Sequence, residues 1–438
     1  MDRTIAGIFW ILLYLAVVTV PVFLMLVPPV PSGRGFWLEF SVALGFAGLT
    51  QIGLQFLLIA RFKRVTAPYG IDIILRYHRQ IAMVAVAAVV LHPLILVIDN
   101  PSRLKLLNPL GGNWASRFAL LSLLVLLITV AASVYRERLR LDYELWRLTH
   151  IGLGVAAIVF AQLHASMAGL YINTPWKQAI WIVMAAAMVG FIMYLRLLKP
   201  IRQEAYSWRV VETRDEGGDT TTLVLEADGH GGTKFQPGQF AWIKLSDSPF
   251  TLEEHPFSFS SSAETTKRIE FGIKALGDFS AAVADVRPGT PAYVDGPHGA
   301  FSMDRYEAAG YIFFAGGVGI TPFMSMLRTM ADRNDPRPVL LFYADRSLDE
   351  TAFRKDLDEL QEKVDLEVVY VLEEPPEDWD GEEGFITPEV LDRRLPDEGF
   401  ERDCMICGPP PMMDAVHEAL LQRGVPQDRI QIERFALA

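Results

Sequence analysis

The sequence lacks several features that would place it in a simple structural class. Only two of its 438 residues are cysteine, which excludes a disulfide scaffold and any zinc or iron–sulfur site that needs four cysteines. Acidic residues are scarce in the first 200 positions, where 7 face 17 lysines and arginines. Basic residues are outnumbered in the remaining 238 positions, 23 against 45, so this part offers no positive surface to nucleic acid. A basic, apolar part followed by an acidic part indicates a membrane domain fused to a soluble one.

Six apolar segments are long enough to cross the roughly 30 Å hydrocarbon core of a bilayer. They lie near residues 5–27, 36–60, 74–98, 115–135, 148–170 and 177–197. The first could be a signal peptide, but no small-residue cleavage pattern precedes Pro28, so we interpret it as a retained helix. Lysine and arginine are concentrated in the links 61–79 and 136–147 and after the sixth segment. The positive-inside rule therefore predicts a multi-pass protein of the cell's inner (plasma) membrane, with both termini and the soluble half in the cytoplasm.

Histidines give the first indication of function. Four of the eight lie in the predicted spans, and these are His78 and His92 in the third and His150 and His164 in the fifth. Each pair has a spacing of 14 residues, about 40° short of four helical turns, so its members share one helix face about 21 Å apart. Because the two helices run in the same direction, His78 can face His150 and His92 can face His164. Two stacked bis-histidine sites predict two six-coordinate haem b groups with these four residues as metal ligands.

Histidines inside a membrane also have roles other than haem binding. Isolated histidines in a membrane can bond neighbouring helices or belong to a proton path. Zinc or copper would need ligands gathered in one small polyhedron rather than in pairs a leaflet apart. The repetition of one spacing on two helices of the same direction favours haem.

After Pro200 the pattern changes to short strands separated by turn residues, which predicts a small antiparallel β-barrel. Its strands are expected near residues 208–213, 220–226, 239–245, 256–261, 268–275 and 291–295. From about residue 308, strands alternate with helices, as in a parallel α/β sheet that binds a dinucleotide. The expected fold is a multidomain membrane protein with a six-helix transmembrane bundle (1–200), an antiparallel β-barrel domain (201–307) and an α/β parallel-sheet nucleotide-binding domain (308–438).

A glycine-rich turn, residues 313–322, joins the first strand of the α/β domain to its helix. Glycines there would let backbone N–H groups approach a pyrophosphate at the positive end of the helix. The candidate cofactor-binding residues of this turn are Gly316, Gly317, Gly319 and Thr321. A second turn follows a later strand at the same predicted edge of the sheet, and it contains Cys407, Gly408 and Pro409.

Arg346 follows the second strand of this domain, where the ribose 2′ substituent of the coenzyme should lie. An arginine there favours a 2′-phosphate, so the sequence predicts NADPH ahead of NADH. The alternative is that Arg346 is a solvated residue paired with Asp349 or Glu350.

The residues His255, Pro256, Phe257 and Ser258 form a further motif, His-Pro-Phe-Ser. In this motif and in the order of its parts, the chain resembles the NADPH oxidase and ferric reductase superfamily, in which a six-helix haem domain precedes a ferredoxin-reductase-like FAD and NAD(P)H module. That family has His-Pro-Phe-Thr here, so Ser258 departs from its pattern, whereas the wider reductases have Arg-x-Tyr-Ser and His255 favours the membrane branch. The resemblance implies that Phe257 packs on the flavin and that Ser258 bonds it near its reactive ring.

Other site residues follow from the same resemblance. It implies that Lys274, Gly277 and Ser280 lie near the FAD pyrophosphate. Cys407 resembles the nicotinamide-side cysteine of the family. Phe435 is similar in position to the aromatic ring that lies against the flavin where nicotinamide enters, although three residues follow it here. A buried phenylalanine at the end of a strand is the alternative for Phe435.

Several other polar residues are expected to have no role in the chemistry. Cys404 and Cys407 are three residues apart on a predicted strand, so they should point to opposite faces and form no redox disulfide. His298 is expected to be a solvated turn residue, and His230 and His417 are expected at the surface.

These parts together predict a transmembrane electron transferase. A nicotinamide releases two electrons as hydride and a haem accepts one, and a flavin connects the two processes. The predicted enzyme oxidises cytoplasmic NAD(P)H and reduces an acceptor on the far side. One alternative is that the haems receive electrons from a quinone. Another is a transporter or sensor with a reductase-like regulatory domain, for which Glu39 is the main candidate carboxylate.

The acceptor is expected to be a small molecule. The outer loops, near residues 28–35, 99–114 and 171–176, are short and contain no acidic cluster or histidine that would hold a ferric ion. Dioxygen, giving superoxide, is expected ahead of a ferric chelate. The lipid membrane is the other expected partner, with no nucleic acid and no obligatory protein. Basic residues on that side would attract an anion, or anchor lipid headgroups or haem propionates, and these are Arg34, Arg103, Lys105 and Arg117.

Overall fold

The computed structural model describes residues 3–31, 33–62, 71–395 and 401–434. Contacts divide the chain into two units, Met1–Lys199 and Pro200–Ala438. The candidate residue Phe435 and part of the basic link, 63–70, lie outside the described residues.

The first unit contains the six predicted apolar helices, each long enough to cross a membrane. They are α1 (Arg3–Leu26), α2 (Phe36–Leu58), α3 (Ile71–Asp99), α4 (Trp114–Val134), α5 (Tyr143–Ala168) and α6 (Pro175–Met193). The sixth continues through a π-helical turn, Tyr194–Leu198, into α7 (Lys199–Glu204).

Side-chain hydrogen bonds cap the N-termini of α4 and α5. The Asn113 side chain accepts a hydrogen bond from the Ser116 N–H at 2.9 Å and begins α4. The Asp142 side chain accepts from the Leu145 N–H at 3.1 Å, so α5 begins at Tyr143 instead of at residue 148. This early start places His150 inside the helix rather than in its first turn.

The second unit begins with the predicted antiparallel barrel. Its strands are β1 (Trp208–Asp215), β2 (Thr220–Ala227), β3 (Phe240–Leu245), β4 (His255–Ser258), β5 (Arg268–Lys274) and β6 (Pro291–His298). They pair in the order β4-β3-β6-β1-β2-β5. A bridge between Phe259, which follows β4, and Phe271 of β5 joins the two ends of this order. The short helix α8 (Asp278–Ala282) follows β5.

A parallel sheet with helices makes up the rest of the second unit, as predicted. Its strands are β7 (Tyr311–Gly316), β8 (Val339–Asp345), β9 (Leu366–Leu372), β10 (Glu382–Glu383), β11 (Asp403–Cys407) and β12 (Ile430–Glu433). The helices are α9 (Thr321–Arg333), α10 (Arg354–Gln361), α11 (Pro388–Arg394) and α12 (Pro410–Gln422). The strand order is β10-β9-β8-β7-β11-β12, so the direction of winding reverses between β7 and β11. Ligands of such sheets bind at the carboxyl ends of the strands beside this reversal.

The sheet separates two hydrophobic clusters. Phe313 and Cys407 belong to the cluster on one face, and Phe314 and Cys404 belong to the cluster on the other. The prediction that the two cysteines point to opposite faces is therefore confirmed, and both thiols are free.

Arg328 of α9 joins the sheet to the barrel. Its guanidinium donates to the Ser260 carbonyl at 2.8 Å and to the Glu270 carboxylate at 3.1 Å, and it also pairs with Asp356. Thr321, at the start of the same helix, donates its hydroxyl hydrogen to the Val318 carbonyl at 2.9 Å. These contacts hold the glycine-rich turn beside the barrel.

Candidate functional site

The four histidines of the first unit meet in the two predicted pairs. The ring centroids of His78 and His150, here called the inner pair, are 6.3 Å apart with an interplanar angle of 63°. Those of His92 and His164, the outer pair, are 6.4 Å apart with an angle of 55°. The near-identical geometry follows from the shared spacing of 14 residues on α3 and α5.

Hydrogen bonds hold the far side of three of these rings. The Nδ1 of His92 lies 2.8 Å from the Ser41 carbonyl, and that of His164 lies 2.9 Å from the Ala115 carbonyl. Because a carbonyl only accepts, both Nδ1 atoms carry hydrogen, and Nε2 keeps its lone pair. The Nδ1 of His150 lies 3.0 Å from the Ser133 hydroxyl. Metal-binding histidines usually donate their second ring N–H in this way.

The ring separations exclude a direct hydrogen bond between the two rings of a pair and leave room for one metal between them. Metal–imidazole bonds are about 2.0–2.1 Å long, and the ring centre lies about 1.2 Å behind the nitrogen, so two imidazoles on opposite sides of one metal have centroids roughly 6.4 Å apart. A direct N–H···N hydrogen bond would bring them to roughly 5.2 Å. The observed 6.3 and 6.4 Å match the first arrangement. Among the described residues no group of three or more potential ligands occurs, so a metal here would need its other ligands from a non-protein group.

An apolar cavity of about 410 Å³ adjoins the outer pair. Both rings of this pair line it, together with apolar side chains such as Phe46, Leu49 and Ile158. Gly45 lies against the His92 ring, since a Cβ at this position would be 3.3 Å from it. The cavity is also lined by two arginines, Arg34 and Arg103. Two imidazoles, apolar walls and two guanidinium groups fit a flat apolar macrocycle that carries carboxylates.

The flavin motif lies on β4, at one end of the barrel's strand order. The His255 ring stacks on the Phe279 ring with centroids 4.2 Å apart. The Phe257 ring also stacks on the Phe279 ring, with centroids 6.1 Å apart and an interplanar angle of 15°. Pro256 is opposite Trp242 on β3, and Ser258 is buried opposite Phe240. The structure thus brings His255 and Phe257 next to the segment 274–280, here called the second element, which contains the predicted residues Lys274, Gly277 and Ser280. Phe279 of this element was not among the predicted site residues.

The second element forms a tight turn after β5. The Ser280 hydroxyl accepts hydrogen bonds from the N–H groups of Leu276 and Gly277, both at 2.9 Å. Lys274 ends β5 opposite Thr220. The Ser280 hydroxyl therefore shapes the turn. The Lys274 charge acts on Asp345 at the end of β8, where burial raises the pKa of that carboxyl and the lysine opposes the rise.

The two turns of the nucleotide-binding domain are in backbone contact. A Cβ on Gly319 would lie 2.3 Å from the Cys407 carbonyl oxygen, and one on Gly316 would lie 2.7 Å from Pro409. Only glycine allows this approach. Gly317 has a φ of +52° and open space around it, so its backbone is accessible to a ligand. The turns meet beside the point where the sheet reverses, which is where a pyrophosphate would bind.

The thiol of Cys407 is packed into the sheet's hydrophobic cluster and is 1% exposed. Burial raises the pKa of this thiol well above its usual range, and the Glu433 carboxylate raises it further. Both effects favour the neutral thiol over the thiolate. Its neighbour Glu433 is buried at the end of β12, and its carboxylate lies 3.8 Å from the position of a Cβ on Gly299. Nothing in the sequence pattern had indicated Glu433.

Arg346 lies in an acidic environment at the end of β8. Its Nε donates to Glu374 at 3.1 Å, and its guanidinium lies 3.9 Å from Glu350. Burial raises the pKa of the preceding Asp345, while the Arg346 backbone N–H and Lys274 oppose this shift. Asp345 Oδ2 is buried and has no hydrogen-bond partner within the described part of the chain. This acceptor lies where a ribose hydroxyl would bind.

The prediction for His298 is wrong. The residue is only 4% exposed, because it lies on β6 opposite Phe240 and packs against Trp242 with ring centroids 5.1 Å apart. Its Nε2 lies 3.4 Å from an Asp295 carboxylate oxygen. The prediction failed because β6 continues through Gly296 and Pro297 to His298, so that His298 lies on a strand and not in a turn. His230 is half-buried, with Nε2 2.8 Å from the Ser207 carbonyl.

Three family models match consecutive parts of the chain. A ferric reductase like transmembrane component matches residues 44–161, an FAD-binding domain matches 216–291 and an oxidoreductase NAD-binding domain matches 313–418. The chain has the domain architecture of the NADPH oxidase and ferric reductase superfamily. The first match, together with the six apolar helices, identifies the chain as a multi-pass membrane protein.

Individual proteins resemble part of this chain. The reductase component of propane 2-monooxygenase from Rhodococcus jostii (strain RHA1) is 30% identical over 52% of this chain and 62% of its own length. NADH-cytochrome b5 reductase 1 from Cryptococcus neoformans is 31% identical over 43% of this chain and 64% of its own length. The chain therefore spans less than two thirds of the length of these relatives. A solved ferredoxin reductase in carbazole 1,9a-dioxygenase is 29% identical, with a TM-score of 0.47, over 52% of this chain and 69% of its own length.

Proposed function

We propose that this chain carries electrons across a membrane, from a reduced nicotinamide coenzyme through FAD and two haem groups to an acceptor on the other side. The two histidine pairs carry the proposal, because their ring separations of 6.3 and 6.4 Å fit one metal each. When bound, FAD would accept the coenzyme's hydride and release single electrons, which haem iron can accept one at a time. The chain's own part is to hold these groups in order and to keep water from the outer site.

The spectrum of the purified full-length protein tests this proposal. Dithionite should produce the reduced absorption bands of bis-histidine haem at about two haems per FAD. The coenzyme should produce the same bands, more slowly and only when FAD is bound. A protein that binds FAD but no haem would overturn the proposal.

The arginines near the loop between α4 and α5 support a cytoplasmic position of the soluble unit. Four arginines lie near the loop between α4 and α5, namely Arg136, Arg138, Arg140 and Arg147. Arg136 lies over the rings of Tyr143 and Trp146, at 5.3 and 5.4 Å, as expected for side chains at a membrane–water interface. The positive-inside rule would place this loop, and the inner pair near it, on the cytoplasmic side.

The contacts of Glu39 do not favour the transporter alternative. Its carboxylate lies 3.5 Å from the Arg34 guanidinium and accepts a hydrogen bond from the Tyr171 hydroxyl. The transporter alternative needs an unpaired carboxylate inside the membrane, whereas Glu39 lies in the first turn of α2 and is paired. Glu39 instead fixes Arg34, which lines the outer cavity.

The surroundings of Arg346 favour NADH, the opposite of the preference that the sequence suggested. A 2′-phosphate carries a charge of about −1.5 to −2, and it would have to displace Glu374 and approach Glu350 and Glu373. A ribose hydroxyl would instead donate to the buried Asp345 oxygen. The name of one relative, NADH-cytochrome b5 reductase, agrees with this coenzyme.

Steady-state kinetics of the full-length protein with a soluble dye as acceptor will decide between the coenzymes. We expect kcat/KM for NADH to exceed that for NADPH by at least about 10-fold, a difference of about 1.4 kcal/mol. Glu374→Gln releases Arg346 from an exposed ion pair, which should raise kcat/KM for NADPH by up to about 5-fold. The control is Glu359→Gln, another exposed glutamate in an ion pair, with Lys363. A higher kcat/KM for NADPH in the wild type would contradict the assignment.

The acceptor is proposed to be dioxygen. Arg34 is engaged by Glu39, Arg103 donates to Asp99 at 2.7 Å, and Arg117 donates to the Leu110 carbonyl at 3.1 Å. Arg34 and Arg103 also line the cavity that would hold the outer haem. Little of their charge is therefore left to attract an anionic chelate, whereas neutral dioxygen needs no charge.

The acceptor can be identified in proteoliposomes supplied with NADH on the flavin side. Superoxide production should appear as cytochrome c reduction that superoxide dismutase abolishes. Reduction that the dismutase does not affect, together with rapid anaerobic turnover of ferric citrate, would instead identify a metal reductase.

A further inference from the structure

Ser133 on α4 lies behind His150 of the inner pair. Its Oγ is 3.0 Å from the His150 Nδ1, 3.3 Å from the Trp146 Nε1 and 2.8 Å from the Thr129 carbonyl oxygen one helical turn earlier. The Trp146 ring also covers the imidazole, with centroids 5.4 Å apart at an angle of 42°. One hydroxyl thus connects the His150 ring to the Trp146 indole and to the Thr129 backbone carbonyl.

The hydrogens of this cluster can be assigned. A serine hydroxyl has one hydrogen and two lone pairs, a carbonyl only accepts and an indole N–H only donates. The hydroxyl hydrogen goes to Thr129 and one lone pair accepts from Trp146, so the second lone pair accepts from His150. The His150 Nδ1 therefore carries hydrogen, and its Nε2 keeps the lone pair needed to bind a metal.

The two pairs differ in how many of their Nδ1 atoms have a hydrogen-bond partner. Both rings of the outer pair donate to backbone carbonyls, His92 to Ser41 and His164 to Ala115. In the inner pair the Nδ1 of His78 is buried and has no hydrogen-bond partner within the described ranges. The inner pair is therefore fixed at one ring and the outer pair at two.

We propose that Ser133 is the positioning residue of the inner pair, holding His150 in the tautomer and orientation that can ligate a metal. The inference rests on the proposed function, because it concerns how the haem-binding histidines are held. Loss of an outer-shell partner typically lowers metal affinity by about 10–100-fold. Within the described residues no second hydrogen bond holds a ring of the inner pair, so the inner site should be the more sensitive of the two.

The experiment measures haem binding by the full-length protein and does not depend on its activity. In a His164→Leu background only the inner pair can bind haem. There, Ser133→Ala should lower haem affinity by about 10–100-fold and change the optical and EPR signature of any haem that remains. Ser133→Thr keeps the hydroxyl and should restore the wild-type values. The yield and size-exclusion profile of the detergent-solubilised protein report whether the membrane unit of each variant is folded. FAD content and coenzyme-dependent dye reduction report the same for the soluble unit.

Ser41→Ala is the matched control at the outer pair. The Ser41 hydroxyl also lies 3.0 Å from a ligand Nδ1, that of His92, but the Ser41 backbone carbonyl at 2.8 Å remains after the substitution. In a His150→Leu background, Ser41→Ala should leave haem affinity within about 3-fold of its parent, below the effect of losing a partner outright. Unchanged inner haem in Ser133→Ala, or no rescue by Ser133→Thr, would overturn the inference. Absence of haem from the wild type would instead overturn the proposed function.

Discussion

Replacing His150 with leucine should remove one of the two haem groups and stop electron transfer to the far-side acceptor. The substitution deletes one of two proposed ligands, whose ring centroids lie 6.3 Å apart, and leucine brings no polar group of its own into the membrane. The haem-to-FAD ratio should fall from about two to about one, and acceptor reduction by more than about 100-fold, since even an outer-shell partner is worth about 10–100-fold in metal affinity. Coenzyme-dependent dye reduction should persist, because the nicotinamide and FAD domains lie in the second unit.

Companion variants make this result specific. His78→Leu should give the same loss as His150→Leu, and His164→Leu should remove the other haem. His417→Leu, at a partly exposed histidine of the second unit that contacts Gln427 at 3.1 Å, should retain both. Equal haem content in the wild type, His78→Leu and His150→Leu would sink the ligand assignment.

Gly319→Ala should abolish most coenzyme turnover while sparing both FAD and haem. The added Cβ would lie 2.3 Å from the Cys407 carbonyl oxygen, a backbone atom that can move only with its strand. The two turns that meet at this point would separate, and a displacement of about 1 Å at a positioning element can cost about 100-fold in rate. We expect kcat/KM for NADH to fall by about that factor, measured with a soluble dye as acceptor.

Gly231→Ala is the control for this substitution. Gly231 lies in a barrel loop where a Cβ would meet nothing within 4 Å, so the variant should retain wild-type kinetics. Dithionite reduction of the haems and the flavin content should be unchanged in both variants. Wild-type kcat/KM in Gly319→Ala would show that the two turns do not form the coenzyme site.

The parts predicted best were those with a regular period. Six runs of about 20 apolar residues can satisfy their backbone hydrogen bonds in a membrane only as helices, and six helices are found. The strands after residue 200 were located to within a few residues, because turn residues separate them. Where a helix boundary differs from the predicted one, a single contact sets it. The Asp142 side chain caps α5, so this helix begins at Tyr143 and not at residue 148.

The candidate site was only partly predictable. The 14-residue spacing was enough to pair the histidines across two helices, because a helix repeats regularly along its length. Ser133 lies 17 residues before His150 and Glu374 lies 28 residues after Arg346, and neither distance has any periodic relation to its partner. From the sequence the Arg346 side chain therefore predicts NADPH, and the contact with Glu374 that underlies the proposal of NADH is visible only in the fold.

The sequence by itself determined the order of the domains, the number of membrane spans and the pairs of histidines, because these depend on hydropathy, turn residues and helical repeat. Only the tertiary structure decided which groups hold the histidines, that the Gly319 turn touches the Cys407 turn, and that His298 is buried. These facts depend on contacts between segments far apart in the chain, where one hydrogen bond or one missing Cβ sets the geometry. The physical reason is that local periodicity fixes the direction of a side chain, whereas its partner is fixed by packing.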